Sequence, residues 1–202
     1  VLDRLEHLGY RPERPEDLQL LGGLAHQESA LAAWLLVCLA AVPPEKEFGL
    51  LGRALDEEQR GCRDRILSLA LLFVPPPIRG GLRRGIVGGD RARHAYALEM
   101  LDSFLDRDLK ERMFPLFEDL PPHERRERLG RVHPAAALSP TGILEAVAAK
   151  EDVWISPWPR SVALYLMGKG GTAASVELLR GLTAHRIPLV AETARWALTR
   201  IR

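Results

Sequence analysis

Glu99 and Asp102 stand three residues apart, a spacing that puts two carboxylates on one face of a helix. Such a pair can serve as general acid and base. No polar cluster accompanies them, and Arg93, His94 and Arg107 lie close by in the chain. Pairing along the helix surface therefore accounts for them. The six histidines, His7, His26, His94, His123, His133 and His185, are scattered. None has the H-E-x-x-H or Cys/His spacing of a zinc site, and His123-Glu124 lacks a second histidine at helical spacing. Ser139, Ser156 and Ser175 have no G-x-S-x-G context, and the first two read as helix caps.

The glycines of I-R-G-G-L-R-R-G-I-V-G-G-D (78–90) invite a phosphate-loop reading. A Walker loop ends in G-K-[ST], whereas Asp90 follows Gly89 here and would repel a phosphate. Termination of a helix explains these glycines better. No catalytic residue, metal site or cofactor site is expected. The one local charge feature is Arg79, Arg83, Arg84, Arg91 and Arg93, a cluster able to meet phosphates or an acidic partner. It is the candidate interaction surface. A second group, Arg125, Arg126, Arg128 and Arg131, reads more simply as a solvated face balanced by nearby acids.

The elements that carry these residues read as helices throughout. Hydrophobic residues make up 47% and charged residues 27%, a globular balance that excludes disorder. Aromatics are only 6%, and Leu and Ala outweigh the β-branched residues, which favours helix over sheet. Twenty-eight basic and 27 acidic residues leave a net charge of +1, so there is no global pull toward nucleic acid or anionic lipid. The basic side is 24 Arg to 4 Lys, spread along the whole chain, as a compositional bias of the source genome would produce. Cys38 and Cys62 sit in apolar helical contexts without C-x-x-C spacing, which points to a reducing, cytoplasmic setting.

The chain opens on Val1 rather than Met, as a segment of something longer or a processed product would, and shows no signal-peptide pattern. The longest apolar run, Ala30 to Val42, is 13 residues. A membrane helix needs about 20, so this run reads as a core helix and no direct membrane insertion is expected.

In chain order, a short helix is expected within 1–10, a second over 15–21 ended by Gly22-Gly23, and a third over 28–41, apolar nearly all round. Phe48, Leu51, Leu55, Cys62, Ile66, Leu69 and Phe73 keep a three-four rhythm from 45 to 74. That stretch is one long helix, or two with a break near Asp56. A short helix over 78–87 is expected to end in a left-handed Gly88-Gly89, and Asp90 to cap the next. The central pair follows. A helix over 91–105 carries Ala95, Leu98, Leu101 and Leu105 on its apolar stripe. Another over 108–118 carries Leu109, Met113, Leu116 and Phe117. A polar helix over 122–132 and a linker over 133–138 come next. Further helices are expected over 140–150, 157–168 and 172–184, and from Pro188 to the end. Trp34 and Trp196 read as core residues, and Trp154 and Trp158 as packing between repeats or, if exposed, as a contact surface.

From Ile143 to Ile201 the chain resembles two HEAT-type repeats, each a helix, a short polar turn and a second helix. Glu151-Asp152 lies in the first turn, with Arg160 and Ala163 on the helix after it. The resemblance implies that such an Asp and Arg bridge neighbouring repeats and that Ala163 permits close packing. P-L-V-A-E-T-A-R-W-A-L (188–198) resembles a second helix but departs at Ala191, where an Arg is expected, and at His185, where an acid usually sits. In the middle, R-A-R-H-A-Y-A-L-E-M-L-D-S-F-L (91–105), M-F-P-L-F-E-D (113–119) and C-R-D-R-I-L-S-L-A-L-L-F (62–73) resemble the HEAT region of bacterial multidomain proteins. In those, the repeats accompany a membrane region similar to ADP/ATP translocases and often a cyclic-nucleotide-binding domain. Neither the membrane spans nor the nucleotide pocket lies in this chain.

The expectation is an all-α protein, a HEAT-like α-solenoid of nine to ten helices in antiparallel pairs. It would form a single helical-repeat domain over 1–202, with N-terminal helices in 1–44, central helices in 45–138 and two repeats in 139–202. The function expected is a non-enzymatic interaction or regulatory scaffold. Its partner would be another protein or another domain of the same parent chain, in the cytoplasm or at the cytoplasmic face of a membrane. The alternative is a nucleic-acid-binding HEAT-like protein using its arginines, with a base-excising enzyme as a special case; near-zero net charge disfavours it.

Overall fold

The computed structural model describes residues 2–151, 155–170 and 176–201. Among these the chain is all-helical, with eleven α-helices, one 3-10 turn at Lys46–Phe48 and no strand. The helices are α1 (Leu2–His7), α2 (Pro15–Ala41), α3 (Gly49–Leu72), α4 (Pro76–Gly88), α5 (Arg91–Asp102) and α6 (Arg107–Phe117). They continue with α7 (Pro122–Val132), α8 (Ile143–Ala149), α9 (Pro157–Gly170), α10 (Val176–Leu182) and α11 (Pro188–Leu198).

The chain divides into two compact units with interleaved segments, Val1–Trp34 with Arg60–Ala135, and Leu35–Gln59 with Ala136–Arg202. In the first unit α4 packs on α5 and α6 on α7. In the second, α8 packs on α9, α10 on α11, and α9 on α11.

Local chemistry sets most helix ends. Asp90 and Asp106 accept hydrogen bonds from the backbone N–H groups of Arg93 and Leu109, so both are N-caps. Proline at the first helical turn opens α2, α4, α7, α9 and α11. Gly9, at φ +69°, is the one positive φ among the described residues. The N–H of Tyr10 reaches Leu5 O and that of Gly9 reaches Glu6 O, which closes α1 in a Schellman motif.

Several details differ from the sequence reading; α5, for one, ends at Asp102 rather than 105, and α8 starts at Ile143 rather than 140. Gly22-Gly23 does not end a helix: α2 runs through both, because Leu21, Ala25, Ser29 and Ala32 keep one face buried along its length. Packing along that face outweighs the cost of about 1 kcal/mol per glycine. Gly88-Gly89 is not left-handed; Gly89 is extended at φ −72°, ψ 153°. The stripe of α5 is also rotated. Ala97 and Leu101 are buried, with Leu105 just beyond the helix, while Ala95 is exposed and Leu98 half-buried. The cause is a close approach of α4, where Gly85 lies against Ala97. In α6, by contrast, Leu109, Met113, Leu116 and Phe117 are all buried as the spacing requires, and α3 has no break at Asp56.

By length and composition α2 is apolar enough to cross a membrane, with a mean hydropathy of 1.4 over an 18-residue window of which half is buried. The 13-residue apolar run is part of this longer helix.

Candidate functional site

Arg79 was a candidate for the exposed arginine surface, and here the structure corrects the sequence. Positions 79, 82 and 86 share the buried face of α4, and Arg79 is only 2% exposed. Its Nε donates to Val74 O at 2.8 Å, and Nη2 donates to Tyr10 O at 2.6 Å and Leu72 O at 3.2 Å. Nη1 donates to Glu6 O at 3.4 Å. One guanidinium thus satisfies carbonyls left over at the ends of α1 and α3. Burial lowers its pKa, and the Glu6 carboxylate works against that shift. Arg79 is a clasp between helices.

Arg83, one turn along, is half committed in the same way. It pairs with Glu6 and donates to the buried Ser68 Oγ at 2.8 Å. Arg84, Arg91 and Arg93 are exposed. Arg93 meets Asp90 only loosely, at 3.6 Å, with both side chains largely in solvent. Of the five clustered arginines three stand exposed, and one of these, Arg93, is loosely paired.

Arg84 and Arg93 border an open cleft of about 1630 Å³. Leu2 of α1 and Asp64, Arg65 and Ser68 of α3 form one side. α4 contributes Pro77, Ile78, Gly81, Leu82, Val87 and Gly88, and α5 contributes Ala92, Arg93, Tyr96 and Met100. Val87 and Tyr96 are 64% and 63% exposed, and Ile78 stands partly exposed beside them. Arg83 and Arg84 also line the cleft, whereas Arg91 does not. Arg65 is held by Glu28 at 2.8 Å. The cleft is therefore an apolar trough with arginine at its rim, a combination suited to recognition of another surface. Sequence reasoning missed Tyr96 and Val87. Both lie off the buried stripe, where a single exposed apolar residue has no signature of its own.

The second arginine group resolves into helix-end chemistry. Arg125 donates to the carbonyls of Pro115, Glu118 and Leu120, and burial, reinforced by Arg63, lowers its pKa. Arg128 pairs with Glu118, and Arg131 with Glu127. The Glu99–Asp102 pair has no acid–base arrangement around it: Asp102 meets Lys110 at 2.9 Å, and Glu99 faces solvent. The pairing expected with His94 and Arg107 is absent, since His94 Nε2 lies 3.0 Å from Phe117 O and Arg107 pairs with Glu111.

One serine–histidine contact was not foreseen. Ser29 Oγ stands 2.7 Å from His133 Nε2, and His26 packs edge-on against the His133 ring at 4.8 Å. Ser29 is fully buried, and its hydroxyl also lies 3.1 Å from His26 O. Burial, then the neighbouring His26 and Arg112, lowers the His133 pKa to about 4. This is a neutral latch between α2 and the end of α7, closed to any substrate. Cys62 Sγ donates to Glu28 O at 3.1 Å, and burial pushes the Cys38 thiol up to about 12, far from a nucleophile's range. No group of three metal-ligating side chains occurs among the described residues.

In the second unit Ser139 does not cap a helix: its Oγ accepts from Gly142 N–H within a turn, and α8 starts only at Ile143 with Gly142 as its N-cap, while the Ser156 N–H donates to Glu58. Ser175, Asp152 and Trp154 lie outside the described residues. Arg160 is buried, with Nε donating to Ala148 O and Nη1 at 3.3 Å from His185 Nε2. Ala163 is fully buried. Tyr165 and Trp196 stack with centroids 5.0 Å apart at 18°, and Lys169 and Arg200 lie over their outer faces. Trp158 is substantially exposed and Trp34 half-buried.

Comparison with protein-family models, with curated proteins and with solved structures found no match to the chain.

Proposed function

We propose that the protein is a non-enzymatic interaction module built from HEAT-like helical repeats, which holds a segment of another protein, or of another domain of its own parent chain, in the α3–α4–α5 cleft. The observation that carries this reading is the trough itself, with Ile78, Val87 and Tyr96 standing in solvent beside Arg84 and Arg93. Apolar side chains grouped in a concave site are desolvated at a gain when a partner covers them. The nucleophiles and acids that an enzyme would need do not converge elsewhere among the described residues.

Three features support the repeat architecture. α8 and α9 form one pair, α10 and α11 the next, and α9 packs on α11, as second helices of successive repeats do in a solenoid. Arg160 reaches both the preceding helix of its own pair and His185 in the following one. Gly168 lets α9 and α11 approach closely, since a Cβ there would lie 2.8 Å from Ala197 Cα. Assignment to the cytoplasmic face of a larger membrane-associated protein rests on the resemblance of 62–73, 91–105 and 113–119 alone. The nucleic-acid reading is weakened by the burial of Arg79 and the neutralisation of Arg83 by Glu6.

Selection from a displayed peptide library tests the proposal. Binders should be recovered, and Val87→Glu, at a position open to solvent, should weaken them about 10-fold or more, as the loss of a central apolar contact does. Recovery of no binder, or of binders indifferent to Val87→Glu and Tyr96→Glu, would contradict it.

A further inference from the structure

We draw no further inference here: the strongest candidate, the open apolar trough lined by α3, α4 and α5, has its arginines Arg65, Arg83, Arg93 and Arg84 balanced by Glu28, Glu6, Asp90 and Asp64, and nothing in the structure shows what covers it.

Discussion

Gly85 of α4 and Ala97 of α5 meet so closely that a methyl group on the glycine would sit 2.7 Å from the alanine Cβ and 3.1 Å from the carbonyl oxygen of Arg93. This contact fixes the spacing of the two helices that wall the cleft. Gly85→Ala should therefore destabilise the protein by about 1–3 kcal/mol, as overpacking of a tight contact does. Gly81→Ala, four residues away in open space, should stabilise it by about 0.5–1 kcal/mol through helix propensity and the unfolded chain. Chemical denaturation of the two variants reads the opposite signs directly; two changes of the same sign would refute the packing assigned to Gly85.

Arg79 and Arg84 are five residues apart on one helix and should behave as different kinds of residue. Arg79→Met leaves the carbonyls of Tyr10, Leu72 and Val74 without their Arg79 donor and Glu6 O with the Gly9 N–H, and should cost about 3 kcal/mol or more. Arg84→Met should change stability by less than about 0.5 kcal/mol. Thermal unfolding measures both, and comparable effects would contradict the burial of Arg79.

The His133 latch makes stability depend on pH. Its pKa in the folded chain is about 4, below the roughly 6.5 of an unfolded histidine. Above pH 6.5 the ring is neutral in both states and its full contribution is present. Between about 6.5 and 4 the unfolded chain takes up a proton that the folded chain refuses, so stability falls with pH. The loss reaches no more than about 3 kcal/mol below pH 4. His133→Gln should flatten this part of the curve in urea titrations across the range. An unchanged slope would show that other groups carry it.

Gly168 does for the second unit what Gly85 does for the first. A Cβ there would lie 2.9 Å from both the Ala197 Cβ and the Trp196 ring. Gly168→Ala should shift Trp196 off Tyr165, alter the near-ultraviolet dichroism and cost about 1–3 kcal/mol. A spectrum identical to wild type would contradict the close packing of α9 on α11.

Much of the fold was legible because periodicity and capping are local. Asp90, Pro122, Pro157 and Pro188 mark helix starts by their own chemistry, and the apolar spacing of α6 matches its buried face. What was not legible depends on partners distant in sequence. Gly22-Gly23 stays helical because other segments bury the face it lies between. Gly9 closes α1 in a turn that its neighbours do not announce. The candidate surface was half visible. The arginines were seen as a cluster, but only the fold separates the clasp, Arg79, from the rim, Arg84 and Arg93, and only the fold brings Tyr96 beside them.

The most direct measurement is backbone amide NMR of the full chain titrated with a library-selected peptide. Shifts should map to Gly81, Val87, Gly88, Ala92 and Tyr96, and should be lost in Val87→Glu. Shifts confined to other residues, or unaltered by Val87→Glu, would contradict the cleft as the working face.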